Sequence, residues 1–169
     1  MIQVITILIM AVLIAADQII KAIVVKYLSA GGSVDVLFGL LRFRYVENTG
    51  AAFSSFQNHT GFLTVFTVAV IVAVLFVLLT QKIKPGMIYW CLTAVVAGGM
   101  GNLVDRIFRG FVVDYIEPTF VNFAVFNFAD CCITVGACLM IIFTVYDLVK
   151  ENKKYFDDSD VKDSGNKDE

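Results

Sequence analysis

Charge is what this sequence has least of. Only 17% of its 169 residues are Asp, Glu, Lys or Arg, against about 25% in ordinary soluble domains. Proline occurs twice, and tryptophan and histidine once each. With His59 as the one histidine, Ser-His-Asp and Cys-His arrangements would both depend on a residue that stands outside any motif. The four cysteines (Cys91, Cys131, Cys132 and Cys138) form no C-x-x-C pair and offer no metal pattern. They read as small apolar packing residues. There is no basic stripe and the sequence pI is about 5.3, which points away from nucleic acid.

What fills the space is hydrocarbon. Hydrophobic residues make up 59% of the chain and the mean hydropathy is +0.81, an excess that indicates lipid as the solvent rather than a larger core. Four spans follow, at about 2–26, 61–80, 87–106 and 127–149. The first begins with a 15-residue uncharged run from Ile2 to Ala16. No basic residue precedes it, and its apolar periodicity continues past Asp17, so it reads as a helix rather than a cleaved signal peptide. Asp17 and Lys21 lie one turn apart on it, spaced to pair. The second, Gly61 to Thr80, is 20 residues without a charge, which at 1.5 Å per residue spans about 30 Å, one hydrocarbon thickness. In the third, Ala94 with Gly98 and Ala97 with Gly101 give the small-residue spacing of closely packed membrane helices.

The expected fold is therefore membrane all-α, four transmembrane helices with a small β-sheet at about 31–47 between helices 1 and 2. Leu41-Arg42-Phe43-Arg44-Tyr45 alternates apolar and basic as a half-buried strand does, with Val34 to Phe38 as its partner. Its basic face would suit lipid phosphates. Phe108 to Phe126 reads as a connection. Residues 1–150 form one integral-membrane domain. The segment 151–169 carries seven of the 15 acidic residues and lacks apolar periodicity, so it reads as a disordered, charged tail. Four spans put both termini on one side. With Lys21 and Arg106 set aside, Lys and Arg divide seven to four, which favours cytoplasmic termini.

Counting spans places Asp17, Lys21, Asn102, Asp105, Arg106, Asp114, Asn127 and Asp130 at one membrane face. Ionisable groups at that depth are costly and mark function by default. Ser54 or Ser55 with Lys21 could form a Ser-Lys pair. A carboxylate pair is better supplied, because Asp114 and Asp130 stand in separate polar motifs flanking one loop. Two close carboxylates cannot both ionise, so one keeps a proton while the other activates water. A small transporter or proton channel could use the same charges as a relay, but that needs polar residues through the bilayer depth, and the helix middles are apolar. A structural assembly protein, with the charges as interhelical ties, is a third reading.

Asp17-Gln18-Ile19-Ile20-Lys21, Asn48-Thr49-Gly50-Ala51-Ala52-Phe53, Gly98-Gly99-Met100-Gly101-Asn102-Leu103-Val104-Asp105-Arg106, Val113-Asp114-Tyr115-Ile116 and Phe126-Asn127-Phe128-Ala129-Asp130 together resemble, in order and spacing, the motifs of bacterial lipoprotein signal peptidase (signal peptidase II). Tyr115 replaces a usual Phe, and Val125 a common Pro-containing approach. The resemblance implies an aspartic endopeptidase of the bacterial cytoplasmic membrane, with its site toward the outer leaflet. Its substrates would be diacylglyceryl-modified prolipoproteins, cut just before the lipidated cysteine. Asp114 and Asp130 would be the catalytic dyad, and Asn48, Asn102, Arg106 and Asn127 would hold substrate. Asp17, Lys21, Gly50 and Asp105 would support them, and the extracytoplasmic sheet would cradle the substrate. Membrane lipids are the surroundings; no cofactor, metal or nucleic acid is implied.

Overall fold

A helix in lipid turns the soluble pattern inside out, hiding its polar side chains and showing its apolar ones. In the computed structural model, which describes residues 1–50 and 60–165, the first helix does this between Thr6 and Val24. Helix α1 (Ile2–Leu28) buries Thr6, Met10, Asp17, Lys21 and Val24, a stripe at helical spacing. Its exposed face carries Val4, Leu8, Val12, Ile19 and Ile23. Two short strands follow, β1 (Ser33–Val36) and β2 (Leu41–Asn48), then helices α2 (Thr60–Leu79) and α3 (Met87–Arg109), strand β3 (Val112–Pro118) and helix α4 (Phe128–Gly165).

Among the described residues, α1, α3 and the Phe128–Lys153 part of α4 are long and apolar enough to cross a membrane. Helix α2 bears no charge over its length, with an apolar stretch counted over Thr64–Leu79. Helix α3 is the hub and packs on each of the other helices. Its glycines permit this. A Cβ at Gly101 would stand 2.7 Å from Oδ2 of Asp17 on α1 and 3.3 Å from Cβ of Ala129 on α4. One at Gly98 would run into the Ala129 carbonyl oxygen and the side chains of Cys132 and Ile133. Away from the polar face, Met10, Ile71, Leu78, Tyr89, Val96 and Ala97 form the apolar core of α1, α2 and α3.

The sheet differs from the expectation in one respect. It has three antiparallel strands in the order β1-β2-β3, so it is closed by a strand from the segment read as a connection between helices 3 and 4. Val112 to Tyr115 are buried on both sides, so β3 lacks the alternation that reveals a half-exposed strand. Asp114 lies opposite Val46 and Val112 opposite Asn48. Val113 and Tyr115 pack on Val24 of α1, and Phe43 meets Tyr115 edge-on at 6.1 Å. The arginines of the β2 face each pair with a carboxylate through Nε while remaining partly exposed. Arg42 Nε lies 2.7 Å from Oδ1 of Asp35 and Arg44 Nε 2.9 Å from Oε2 of Glu117.

Helix α4 runs past Lys150 into the segment read as a tail and ends at Gly165. Glu151 and Lys153 are good helix formers and continue it. Ala51, Ala52, Phe53, Ser54, Ser55 and His59 lie outside the described residues.

Candidate active site

The start of α4 is held by three other parts of the chain. A helix begins with backbone N–H groups that have no partner within it. Here the Phe128 N–H donates to the Tyr115 hydroxyl of β3 at 3.2 Å, and the Ala129 N–H donates to Oδ1 of Asp17 on α1 at 3.1 Å. The Asp130 N–H donates to Oδ1 of Asn127 at 2.9 Å, and the Asn127 N–H donates back to Oδ2 of Asp130 at 3.1 Å. This is a reciprocal capping box with aspartate in the glutamate position. It fixes Asp130 in the first turn, next to the positive end of the helix dipole.

Asp114 comes from β3 and is 2% exposed. Its Oδ2 accepts from Nδ2 of Asn48 at 2.8 Å and its Oδ1 from Nδ2 of Asn127 at 2.6 Å. Burial pushes its carboxyl up to about 6, opposed by the Asn48 bond; the charge of Asp130 adds to the rise, and the Asn127 bond and the Lys21 ammonium oppose it. Asp130 accepts at Oδ1 from Nδ2 of Asn102 at 2.7 Å. The two amides touch one another, with Asn127 Nδ2 3.1 Å from Asn102 Oδ1. The chain Asp114–Asn127–Asn102–Asp130 thus bridges the two carboxyls entirely through side-chain amides.

Behind the amides lies the ion cluster. Lys21, fully buried, directs its three N–H bonds to Oδ2 of Asp17 and Oδ2 of Asp105, both at 2.9 Å, and to Oδ1 of Asn102 at 2.8 Å. That is all the donors an ammonium has. Asp105 also accepts the Val113 N–H at 3.1 Å, which ties α3 to the strand that carries Asp114, and pairs with Arg109 at 3.3 Å. The i,i+4 pairing of Asp17 with Lys21 and the close-packing role of the α3 glycines are as the sequence implies.

Asn48, Asn102, Arg106, Asp114 and Asp130 line one cavity of about 400 Å³, walled by apolar groups that include Phe123, Val125, Phe126 and Ile133. A second cavity, about 430 Å³, adjoins it across Asn48 and Asp114 and is lined by Arg44, Glu47, Gly50 and Asn122. Arg106 reaches across the first, its Nη2 donating to the Gly50 carbonyl at 3.3 Å. Sequence reasoning passed over Gln18, whose Nε2 donates to Oδ2 of Asp17 at 3.1 Å and to the Gly101 carbonyl at 3.0 Å. It also passed over the capping role of Tyr115. Both sit beside a carboxylate in the sequence, the one signal that could have drawn notice. The buried polar residues fall into two groups. Thr6 and Thr93 lie with Tyr89 toward the other end of the bundle, Thr6 Oγ1 being 2.7 Å from the Tyr89 hydroxyl. Ten residues of α1 lie between Thr6 and Asp17, a rise of about 16 Å along the helix.

The family model described as Signal peptidase (SPase) II matches residues 9–146 of this chain. The chain belongs to the signal peptidase II family. The lipoprotein signal peptidase of Streptococcus thermophilus is 39% identical over 130 residues, covering 77% of this chain and 85% of the relative. That of Lactococcus lactis is 37% identical over 151 residues, covering 89% and 99%. Among solved structures, a bacterial membrane enzyme determined by the in meso method at 2.3 Å superimposes with a TM-score of 0.78 at 28% identity, covering 85% of this chain and 88% of the other. A second, at 1.9 Å, gives 0.72 at 30% identity, covering 84% and 93%. Membership of the signal peptidase II family makes this chain a membrane-associated peptidase, and the matched span contains the whole polar cluster.

Proposed function

We propose that this signal peptidase II is an aspartic endopeptidase that removes the signal peptide from diacylglyceryl-modified prolipoproteins, cutting just before the lipidated cysteine. The observation that carries the reading is the pair of carboxyls, Asp114 and Asp130, facing one cavity and linked through Asn127 and Asn102. One carboxylate takes a proton from water as the resulting hydroxide attacks the scissile carbonyl carbon. The other, protonated, donates to the carbonyl oxygen. The tetrahedral intermediate then collapses: the cysteine amine departs with a proton returned from the first residue, and the second residue takes back the proton it gave to the carbonyl oxygen. The proton belongs to the pair, not to either member. This chemistry calls for no metal or cofactor.

Asn48, Asn102, Arg106 and Asn127 hold the substrate backbone and orient the dyad, and Asp17, Lys21, Gly50 and Asp105 hold those residues in turn. The apolar wall of the first cavity suits an apolar peptide arriving from the bilayer. In this reading α2 is the fourth span, the termini are cytoplasmic, and the site faces the outer leaflet of the bacterial cytoplasmic membrane. Water is available there for hydrolysis, and the substrate's lipid can approach sideways. Membrane lipids are its surroundings; neither metal nor nucleic acid is a partner.

The test is processing of a synthetic lipidated precursor by purified protein. Asp114→Asn and Asp130→Asn, each shown to be folded and inserted, are expected to leave the precursor uncut. Near wild-type cleavage by either variant overturns the dyad. Equal cleavage of lipidated and unlipidated precursors overturns the lipid requirement.

A further inference from the structure

Two loops at the far end of the sheet from Asp114 expose more apolar surface than a water-facing hairpin should. The β1–β2 turn presents Leu37 at 62%, Phe38 at 106% and Leu40 at 52% exposure, and the loop after β3 presents Phe120 at 71% and Val121 at 49%. These are one surface, because Thr119 stitches the loops together. Its N–H donates to the Leu40 carbonyl at 3.0 Å and its hydroxyl to the Gly39 carbonyl.

The backbone is held in a costly shape to keep it so. Leu37 and Phe38 take φ of 49° and 58°, the left-handed region that bulky residues avoid. A collapsed turn would relieve that strain and cover the ring. Strain kept in place at a projecting aromatic points to a use for it. The site described above makes none, since the tip lies at the Leu41–Pro118 end of the β2–β3 ladder and the Asn48–Val112 end borders Asp114.

Position supplies the occupant. The sheet packs through Val113 and Tyr115 on Val24, near the C-terminal end of α1. That helix finishes with Lys26 and an exposed Tyr27, the ammonium 5.2 Å from the ring centroid. Near its own C-terminal end α3 carries an exposed Phe108. Aromatic and basic residues closing apolar spans mark the headgroup level. The tip is carried by the sheet that packs on α1 at this level.

We infer that Leu37, Phe38, Leu40, Phe120 and Val121 form an interfacial anchor that dips into the lipid leaflet on the site's side of the membrane. Large exposed apolar patches are interaction surfaces, and here the adjacent solvent is hydrocarbon. The anchor would hold the sheet, and with it β3 and Asp114, at a fixed height on the bilayer. The inference is independent of which bond the site cuts.

Its test reads depth, not catalysis. Phe38→Trp and, separately, Phe120→Trp are introduced into the full chain carrying Trp90→Phe, and each protein is reconstituted in phosphatidylglycerol–phosphatidylcholine vesicles. The introduced indole is expected to emit at blue-shifted wavelength, to lose most of its emission to lipids brominated high on their acyl chains, and to resist aqueous iodide. Quenching by iodide with no response to brominated lipid overturns the anchor. So does protection that grows with the protein-to-lipid ratio, which indicates a second copy, or that arises only when lipidated precursor is added, which indicates substrate.

Discussion

The Lys21 ammonium lies 2.8 Å from Oδ1 of Asn102 and thereby decides which end of that amide faces Asp130. An ammonium has no acceptor, so the oxygen must turn toward it. The nitrogen is left to donate to Asp130, as it does at 2.7 Å. Asn102→Asp keeps the shape and the contact with Lys21 but replaces the donor by a second carboxylate beside Asp130. Turnover of lipidated precursor is expected to fall by about 10- to 100-fold, the worth of one hydrogen bond to a charged group. The melting temperature in detergent should change little. Unchanged turnover would show that this bond does not matter to the chemistry.

Asn127 has two jobs, and one substitution separates them. Ser at this position can still cap α4 through its hydroxyl but cannot reach Asp114 as the amide does at 2.6 Å. Asn127→Ser should retain most of the stability while losing activity; Asn127→Ala should lose about 1 kcal/mol of stability as well. Thermal unfolding and precursor cleavage on the same preparations check both. Equal stability of the two variants would remove the capping role.

Helix α3 comes close to its neighbours where it lacks side chains. A Cβ at Gly101 would stand 2.7 Å from the Asp17 carboxylate, but at Gly99 it would meet only Ile71 at 3.5 Å. Gly101→Ala is expected to destabilise the fold by about 1–3 kcal/mol as α1 gives way, and Gly99→Ala to be nearly neutral. Denaturation of the two variants side by side makes the comparison.

Asp114 sets a pH dependence of known sign. Its folded-state value of about 6 lies above the ordinary 3.8. Below the ordinary value it is protonated folded or unfolded, and contributes nothing. Between the two the folded state holds an extra proton, so stability falls as pH rises and the full cost, about 2–3 kcal/mol, is felt above 6. Asp114→Asn should flatten this profile and be at least as stable as the parent at pH 7. Cleavage runs the other way. On the proposed dyad mechanism it needs one ionised carboxyl and should decline as pH drops below about 6. Stability of the parent that rises from pH 4 to 7, with no change in Asp114→Asn, would contradict the assignment.

Much of the fold was legible because lipid imposes a simple code. Long uncharged runs are helices, and sparse charges must meet. Asp17 and Lys21 paired as their spacing implies, and Gly98 and Gly101 marked a close approach. Strand β3 was not legible. Fully buried, Val112 to Tyr115 show no alternation, and their pairing with β2 is a contact across more than 60 residues. The partners of Arg42 and Arg44 were hidden for a related reason: the basic face was visible in the sequence, but which carboxylates meet it, Asp35 and Glu117, depends on register. At the site the residue types were readable one by one. Which amide oxygen turns to Lys21 is a three-dimensional fact.

The three outside partners at the start of α4 bear on how the chain comes into being. Asp17, Tyr115 and Asn127 reach the ribosome exit long before or just ahead of the helix they receive, and Asp130 is the last polar member of the cluster to be made. Until that helix docks, Asp114 has no second carboxyl and Asn102 no acid to serve. On the proposed dyad, a half-inserted chain would be chemically inert, and the capacity to hydrolyse would arrive in one step, with the final helix.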